Sequence, residues 1–272
     1  MVRIPLRRRV LGPPLIAFAR RAQLAGHHYR RRTAFARYAL LPATGRLHPV
    51  GDNGQAMVVD PRDSLGLAMD GHYEPDVVAL MRDHLKPGDT FVDIGANIGW
   101  HSIVASSIVG DAGVVVAVEP ELHNFRLLTT NLAINDCDNV VAVRSAAGAT
   151  PGATRLNVSS GNHGGHSVSA SGQQKTMLAR VEDLMAAWQR TPNLIKIDTE
   201  GFEYDIVRGL TTTPPLIVEF SFDLPHAHEF LDLLRDRYAA VDEVVRVDDS
   251  YTLRPMSFAK AEQQAYVPVY AR

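Results

Sequence analysis

Carboxylates placed where the chain turns are the first residues of this sequence that could do chemistry. Asp93 opens the segment Asp93-Ile-Gly-Ala-Asn-Ile-Gly99, and Glu119 follows it by 26 residues in Glu119-Pro120. Asp198, Glu200 and Glu203 crowd into Lys196-Ile-Asp-Thr-Glu-Gly-Phe-Glu203. Glycines let a backbone take positive φ and approach a ligand closely, and a helix starting just beyond presents unpaired N–H groups and the positive end of its dipole. A carboxylate at the tip of the following strand suits the two hydroxyls of a ribose. Asp93, Gly95, Ala96, Asn97, Gly99, Glu119 and Pro120 therefore read as a nucleoside site, with Ser145 near the base by position alone.

Nicotinamide dinucleotides and S-adenosylmethionine both meet that description. The dinucleotide fingerprint needs G-x-G-x-x-G, whereas here Asn97 stands at the middle glycine and nothing supplies the third. An acid opening the loop is also an awkward neighbour for a diphosphate and a good one for a sulfonium and an ammonium. The local features favour S-adenosylmethionine.

These residues must be positioned by strands and helices in strict alternation. The apolar run ending at Val92 leads to a helix over residues 101–109. Val114-Val-Val-Ala-Val118 leads to a helix over 121–135, and a strand over 140–143 follows. A strand over 194–197, a helix over 202–210, a strand over 216–220 and a helix over 225–238 continue the pattern, and residues 241–247 and 265–270 supply two last strands, the final one antiparallel. Pro268 suits an edge or a bulge better than a central position. Such alternation gives a parallel sheet with helices on both faces and ligands at the carboxyl ends of the strands. A helix over 74–85, with Val77, Met81 and Leu85 on one face, packs beside the nucleotide loop, and residues 42–67 read as a small hairpin or linker. The Ser/Gly/His-rich stretch 159–172 has almost no apolar anchor and reads as a lid over the site.

Asp93 to Gly99, Glu119-Pro120, Asn131-Leu-Ala-Ile-Asn135 and Lys196 to Glu203, preceded by Gly71-His-Tyr-Glu-Pro75, follow one another in an order that resembles the FkbM family of S-adenosylmethionine-dependent methyltransferases. The resemblance spans roughly residues 70–210. It implies a Rossmann-like, seven-stranded α/β methyltransferase sheet and O-methylation of a hydroxyl on a sugar, glycolipid or related natural product, without choosing among them.

Methyl transfer to oxygen is an in-line displacement, so the protein chiefly aligns the reactants and removes a proton. Asp198 ends the fourth strand, where the transferred methyl is expected, and is the first candidate base. His163 and His166 of the lid are the others, since histidine titrates in the useful range. Glu200, Glu203 and Glu219 are candidates for the acceptor or for a hard metal such as Mg2+, because clustered carboxylates raise one another's pKa and attract cations. Against these stand plainer readings: Asp198 or Thr199 caps the next helix, the glutamates favour its dipole, and Lys196 pairs with an acid. His72, Tyr73 and Glu74 are expected to close over the methionine end of the cofactor, and His101 either faces it or packs near Trp100.

Composition bounds the rest. The 272 residues, 46 % hydrophobic, suffice for one large α/β domain at 70–272, led in by residues 42–69 and by a basic helical arm at 1–41. Ten of the 28 basic residues, all arginines, fall within residues 1–40 without one acid, leaving 18 against 30 in the remainder. Such an arm suits peripheral contact with an anionic membrane or packing on a partner, whereas an acidic body argues against nucleic acid. The lone Cys137 excludes an internal disulfide and fits a cytoplasmic protein. Two rival readings remain at this level: a nucleotide-binding module without catalysis, and a nicotinamide-dependent reductase.

Overall fold

The computed structural model describes residues 46–52, 54–157, 167–168, 171–186, 189–223, 226–248, 250–257 and 266–272. The basic arm, and His163 and His166 of the expected lid, lie outside the described residues. The described chain opens with a hairpin of β1 (Leu47–Val50) and β2 (Gln55–Val58), then α1 (Leu67–Asp70) and α2 (Pro75–His84). There follow β3 (Thr90–Ile94), α3 (Trp100–Val109), β4 (Val114–Val118), α4 (Leu122–Ile134) and β5 (Val140–Val143). Next come β6 (Ala146–Ala147), β7 (Gly152–Asn157), β8 (Ser167–Val168), β9 (Gln174–Ala179) and α5 (Val181–Met185). The last third holds β10 (Leu194–Ile197), α6 (Glu203–Gly209), β11 (Leu216–Ser221), α7 (Ala227–Arg237), β12 (Val241–Val247), β13 (Ser250–Pro255) and β14 (Tyr266–Ala271).

The main sheet has the order β13-β12-β14-β11-β10-β3-β4-β5. From β5 to β11 all pairings are parallel; β14 runs antiparallel to β11, and β12 antiparallel to β14. Seven of these strands answer the expected sheet, and β13 is an eighth, folded back on β12 as an antiparallel hairpin. Sequence gave little sign of it, because Tyr251, Thr252 and Leu253 are only half-buried and bear no clean alternation. Pro268 is also corrected. It sits in β14 between two strands, opposite Glu219, yet the pairing of β14 with β12 stops at Val269, so the proline falls where that flank is bare.

Strands covered on both faces read as continuous apolar runs, and β3 and β4 are buried along their whole length. One face packs Val77 and Met81 of α2, Ile103 of α3 and Leu128 of α4; the other packs Leu184 of α5, Ile206 of α6 and Phe230 of α7. The chain leaves β5 for a four-stranded sheet, β6-β9-β7-β8, before returning to β10 on the far side of β3. The strand order thus reverses between β3 and β10, and a crevice opens at their carboxyl ends. Among the described residues no helix is long and apolar enough to cross a membrane.

Asn131 of α4 and Asn135, the residue that caps its C-terminus, tie the hairpin to this sheet. Asn131 Oδ1 accepts from Val58 N at 2.7 Å, while its Nδ2 donates to Val58 O at 3.0 Å and to Ile98 O at 2.8 Å. Asn135 repeats the clamp on Ala56, accepting from its N at 3.1 Å and donating to its O at 2.8 Å. The amides thereby extend the β2 edge as a further strand would. Asn131→Ala leaves a buried N–H and two carbonyls short of partners and is expected to lower unfolding free energy by about 3 kcal/mol, against about 1 kcal/mol for the more exposed Asn135→Ala. Urea titrations of both variants measure this; equal midpoints for Asn131→Ala and the parent would refute it.

Candidate functional site

The turn after β3 is shaped by two glycines with different duties. Gly95, at φ 82°, lies so close to β10 that a Cβ there would fall 1.7 Å from the Asp198 carbonyl oxygen. Its N–H and that of Ala96 donate to Val118 O at the end of β4, at 2.9 and 3.0 Å. Gly99, at φ 99°, is not on the crevice. A Cβ there would meet Leu128 Cδ1 at 2.7 Å, so this glycine lets α3 approach α4 and its expected place at the cofactor is corrected. Asn97, at φ 50°, turns its N–H onto Glu119 Oε2 at 3.0 Å.

Glu119 is buried, and its Oε1 also accepts from Glu121 N at 2.7 Å. Burial pushes its carboxyl up to about 8; the two N–H groups pull the other way, and the charges of Glu121 and Asp93 add to the rise. Glu121 in turn caps α4 through Asn124 N at 2.8 Å. A chain of carboxylates thus joins the loop, the end of β4 and the start of α4.

Residues 95–97, Glu119, Pro120, Ser145, Lys196, Asp198, Glu200 and Glu219 line one crevice enclosing about 900 Å³, part of it open to solvent. Tyr73, Trp100, His101 and Phe202 complete its walls, with Leu65, Leu156 and Val168. Most of the candidates from sequence therefore come together. The apolar wall was not foreseen, since Leu65 lies in a stretch that reads as linker and Trp100 and Phe202 as ordinary helix starts. Ser145 lines the crevice, but its Oγ faces the carbonyls of Ala146 and Met177 at 2.8 and 2.9 Å and so holds β6 to β9.

Asp93 departs from expectation. It is 1 % exposed and lies beneath the crevice, its Oδ2 accepting from Ser102 Oγ at 2.6 Å and its Oδ1 without a hydrogen-bond partner. Burial raises its carboxyl and Lys196 opposes the rise. Lys196 itself is buried, with Nζ 2.8 Å from Asp198 Oδ2. Burial alone would lower its pKa, yet Asp198, Glu74 and Asp93 together carry it above the ordinary lysine value.

Glu203 is another correction. Its Oε1 accepts from Thr199 N and Thr199 Oγ1, both at 2.7 Å, and its Oε2 from Gly201 N at 3.0 Å. The side chain reaches back from the first turn of α6 to hold the 199–201 turn, and it does not line the crevice. Neither Asp198 nor Thr199 caps α6, whose N-cap is Phe202. Glu200 and Glu219 do reach the crevice. Burial followed by the Asp198 charge pushes Glu200 to about 7 and Glu219 to about 9, the latter against the pull of Lys196. His72 turns outward to Asp52 at 3.4 Å and lies edge-on to Trp100, away from the expected closure. Among the described residues no group of three or more His, Cys, Asp or Glu could hold a metal ion.

The chemistry of the lining discriminates between ligands. Four carboxylates face the crevice against one ammonium that is already paired, a poor setting for a diphosphate and a good one for a nucleoside bearing a sulfonium and an ammonium. Glu119 and the 95–97 backbone would hold such a nucleoside.

Methyltransferases are among the proteins to which this chain is similar. Hexuronic acid methyltransferase AglP of Haloferax volcanii is 28 % identical over 140 residues, 51 % of this chain and 56 % of that protein. Protein-L-isoaspartate O-methyltransferase 1 of Archaeoglobus fulgidus is 37 % identical over 73 residues, 25 % of this chain and 33 % of that one. The chain thus spans about half and about a third of the length of these curated relatives. Among solved structures, Aeropyrum pernix fibrillarin with natively bound S-adenosyl-L-methionine aligns at a TM-score of 0.45 and 14 % identity, over 86 % of each chain. The family model for the methyltransferase FkbM domain matches residues 93–239, over half of the chain and all of the crevice from Gly95 to Glu219, so the chain belongs to the FkbM methyltransferase family.

Proposed function

We propose that this protein is an S-adenosylmethionine-dependent O-methyltransferase acting on a hydroxyl of a sugar, glycolipid or related natural product. The observation that carries the reading is the Glu119 carboxylate, fixed on the crevice wall by Asn97 N and Glu121 N at the tip of the second parallel strand. There it suits the two hydroxyls of a ribose, with the 95–97 backbone beside it and residues 145–147 near the base. The AglP relative, named for hexuronic acid, supports a sugar acceptor.

When bound, the cofactor supplies a methyl group on a positively charged sulfur. The residues of this chain do the rest: they orient the acceptor, exclude water and receive its proton. Asp198 stands at the end of β10, its Oδ2 held by Lys196 at 2.8 Å. That ion pair fixes the carboxylate in place as an anchor for an acceptor hydroxyl. Glu200 and Glu219 border the same pocket. In this reading the arginine-rich arm would bring the domain to an anionic membrane where the acceptor is a lipid-linked sugar.

The reading is tested by incubating the protein with methyl-labelled S-adenosylmethionine and host extract, with and without magnesium, then locating the label after hydrolysis. Label in a sugar of the lipid or aqueous fraction is the expected outcome; cofactor binding without any transfer would favour a binding module. Glu119→Ala is expected to weaken S-adenosylmethionine binding at least about tenfold by calorimetry, through loss of two hydrogen bonds to the ribose hydroxyls. Asp198→Asn should lower turnover about 100-fold while cofactor affinity stays within a few-fold of the parent. Turnover unchanged in that variant would remove Asp198 from the acceptor site.

A further inference from the structure

The end of the crevice proposed for the acceptor holds more negative charge than the protein itself pairs. Asp198 just after β10, Glu200 in the following turn and Glu219 in β11 all line it. Asp198 has Lys196 at 2.8 Å, whereas Glu200 and Glu219 have no hydrogen-bond donor among the described residues. Glu200 takes φ 57°, left-handed backbone that a residue with a side chain rarely adopts, in the turn that Glu203 clamps through Thr199 N and Gly201 N. The turn is thus held in a strained form with Glu200 on the crevice wall.

The cationic side chains do not offset these acids. Lys196 is 4 % exposed and committed to Asp198. His101 on the same wall is a neutral imidazole, because burial, and then Lys196, push it well below the ordinary histidine range. Glu74 stands behind it, off the crevice, its Oε2 3.3 Å from His101 Nε2. No arginine lines the crevice among the described residues. Arg82 and Arg246 line a second cavity, and Trp100 is the wall that the two cavities share. S-adenosylmethionine brings one net positive charge, which leaves the three carboxylates in excess. An ammonium lets such carboxyls ionise and pairs with them; an anion raises them further and finds no cation to meet it.

We propose that the acceptor of this crevice is an amine-bearing sugar, its ammonium seated against Glu200 and Glu219 while the hydroxyl to be methylated lies at Asp198. The inference rests on the methyltransferase reading and names the charge of the acceptor within it. The same carboxylates disfavour a uronic acid or a sugar phosphate at the methylated ring. An amine paired in this way keeps its proton and has no lone pair to offer, so the methyl goes to oxygen. The acceptor oxygen bonds to the methyl carbon, the carbon–sulfur bond breaks with its electron pair left on sulfur as a neutral thioether, and the hydroxyl proton passes to a carboxylate of the crevice wall.

The test compares three methyl glycosides of glucose that differ only in the group on the terminal carbon, an ammonium, a hydroxyl or a carboxylate. Each is added as an inhibitor of label transfer from saturating S-adenosylmethionine to a fixed amount of host extract. The ammonium glycoside is expected to inhibit at a concentration at least about tenfold below the hydroxyl one, with the carboxylate one weakest. Replacing both glutamates, Glu200→Gln with Glu219→Gln, should level the three, while calorimetric cofactor affinity within about threefold of the parent shows that the variant is folded. Where the double variant binds no cofactor, Glu200→Gln alone should cut the preference at least about threefold. Strongest inhibition by the carboxylate glycoside, equal or absent inhibition by all three, or a preference that survives these substitutions would overturn the assignment, and label found on nitrogen would overturn the seating of the amine. A parent protein that transfers no label overturns the methyltransferase reading itself, before any glycoside or variant is compared.

Discussion

A buried ammonium sets the electrostatics of this protein. Lys196 lies in β10, near the middle of the sheet and in register with Asp93 of β3 and Ile217 of β11. An isolated charge there would cost far more than a domain's net stability, so the fold has to bring anions to it. Asp198 does so from the same strand, Asp93 from the neighbouring one and Glu74 from the N-terminus of α2. One side chain thereby couples three segments distant in sequence. It cannot neutralise all of them, and Glu219 behind Asp198 makes the imbalance larger. Burial, with this surplus adding to it, raises the carboxyls of Glu74, Glu200 and Glu219 toward or above neutrality. A crevice in that condition favours a cation and has groups ready to hold a proton, the two requirements of methyl transfer from a sulfonium.

The same economy appears in how the crevice is walled. Asn131 bonds at once to Val58 in the hairpin and to Ile98 in the loop after β3. The hairpin is therefore hydrogen-bonded to the loop through a single amide. This is why a stretch that reads as a linker supplies the segment leading to Leu65, an apolar wall residue, and why the hairpin packs on α4 at all.

The parallel centre was legible in the sequence because strands buried on both faces must be apolar throughout, as Val114–Val118 is. The place of Glu119 on the crevice wall was legible because crevices in such sheets open at the strand tips. What escaped depends on three-dimensional neighbours. Nothing local distinguishes Gly95, pressed on the Asp198 carbonyl, from Gly99, pressed on Leu128. Glu203 reads as one more member of an acidic cluster until its three donors in the 199–201 turn are seen. Likewise Glu74 and His101 are 27 residues apart in the chain, and their confrontation follows only from how α2 and α3 cross the strand ends. Pro268 misled for a related reason: a strand can be central on one side and bare on the other.

Gly95 carries the argument from fold to rate. Its contact with the Asp198 carbonyl allows no side chain, and the Asp198 N–H in turn donates to Ile94 O at 2.9 Å. The loop proposed for the cofactor and the strand end proposed for the acceptor are thus joined backbone to backbone, with no flexible side chain between them. In-line displacement is sensitive to alignment, and a misplacement of about 1 Å can cost on the order of 100-fold. A donor subsite and an acceptor subsite that shared only side-chain contacts could drift apart by that much through rotamer changes. Here the backbone joins the two proposed subsites, so their separation is fixed by the sheet rather than by side-chain rotamers.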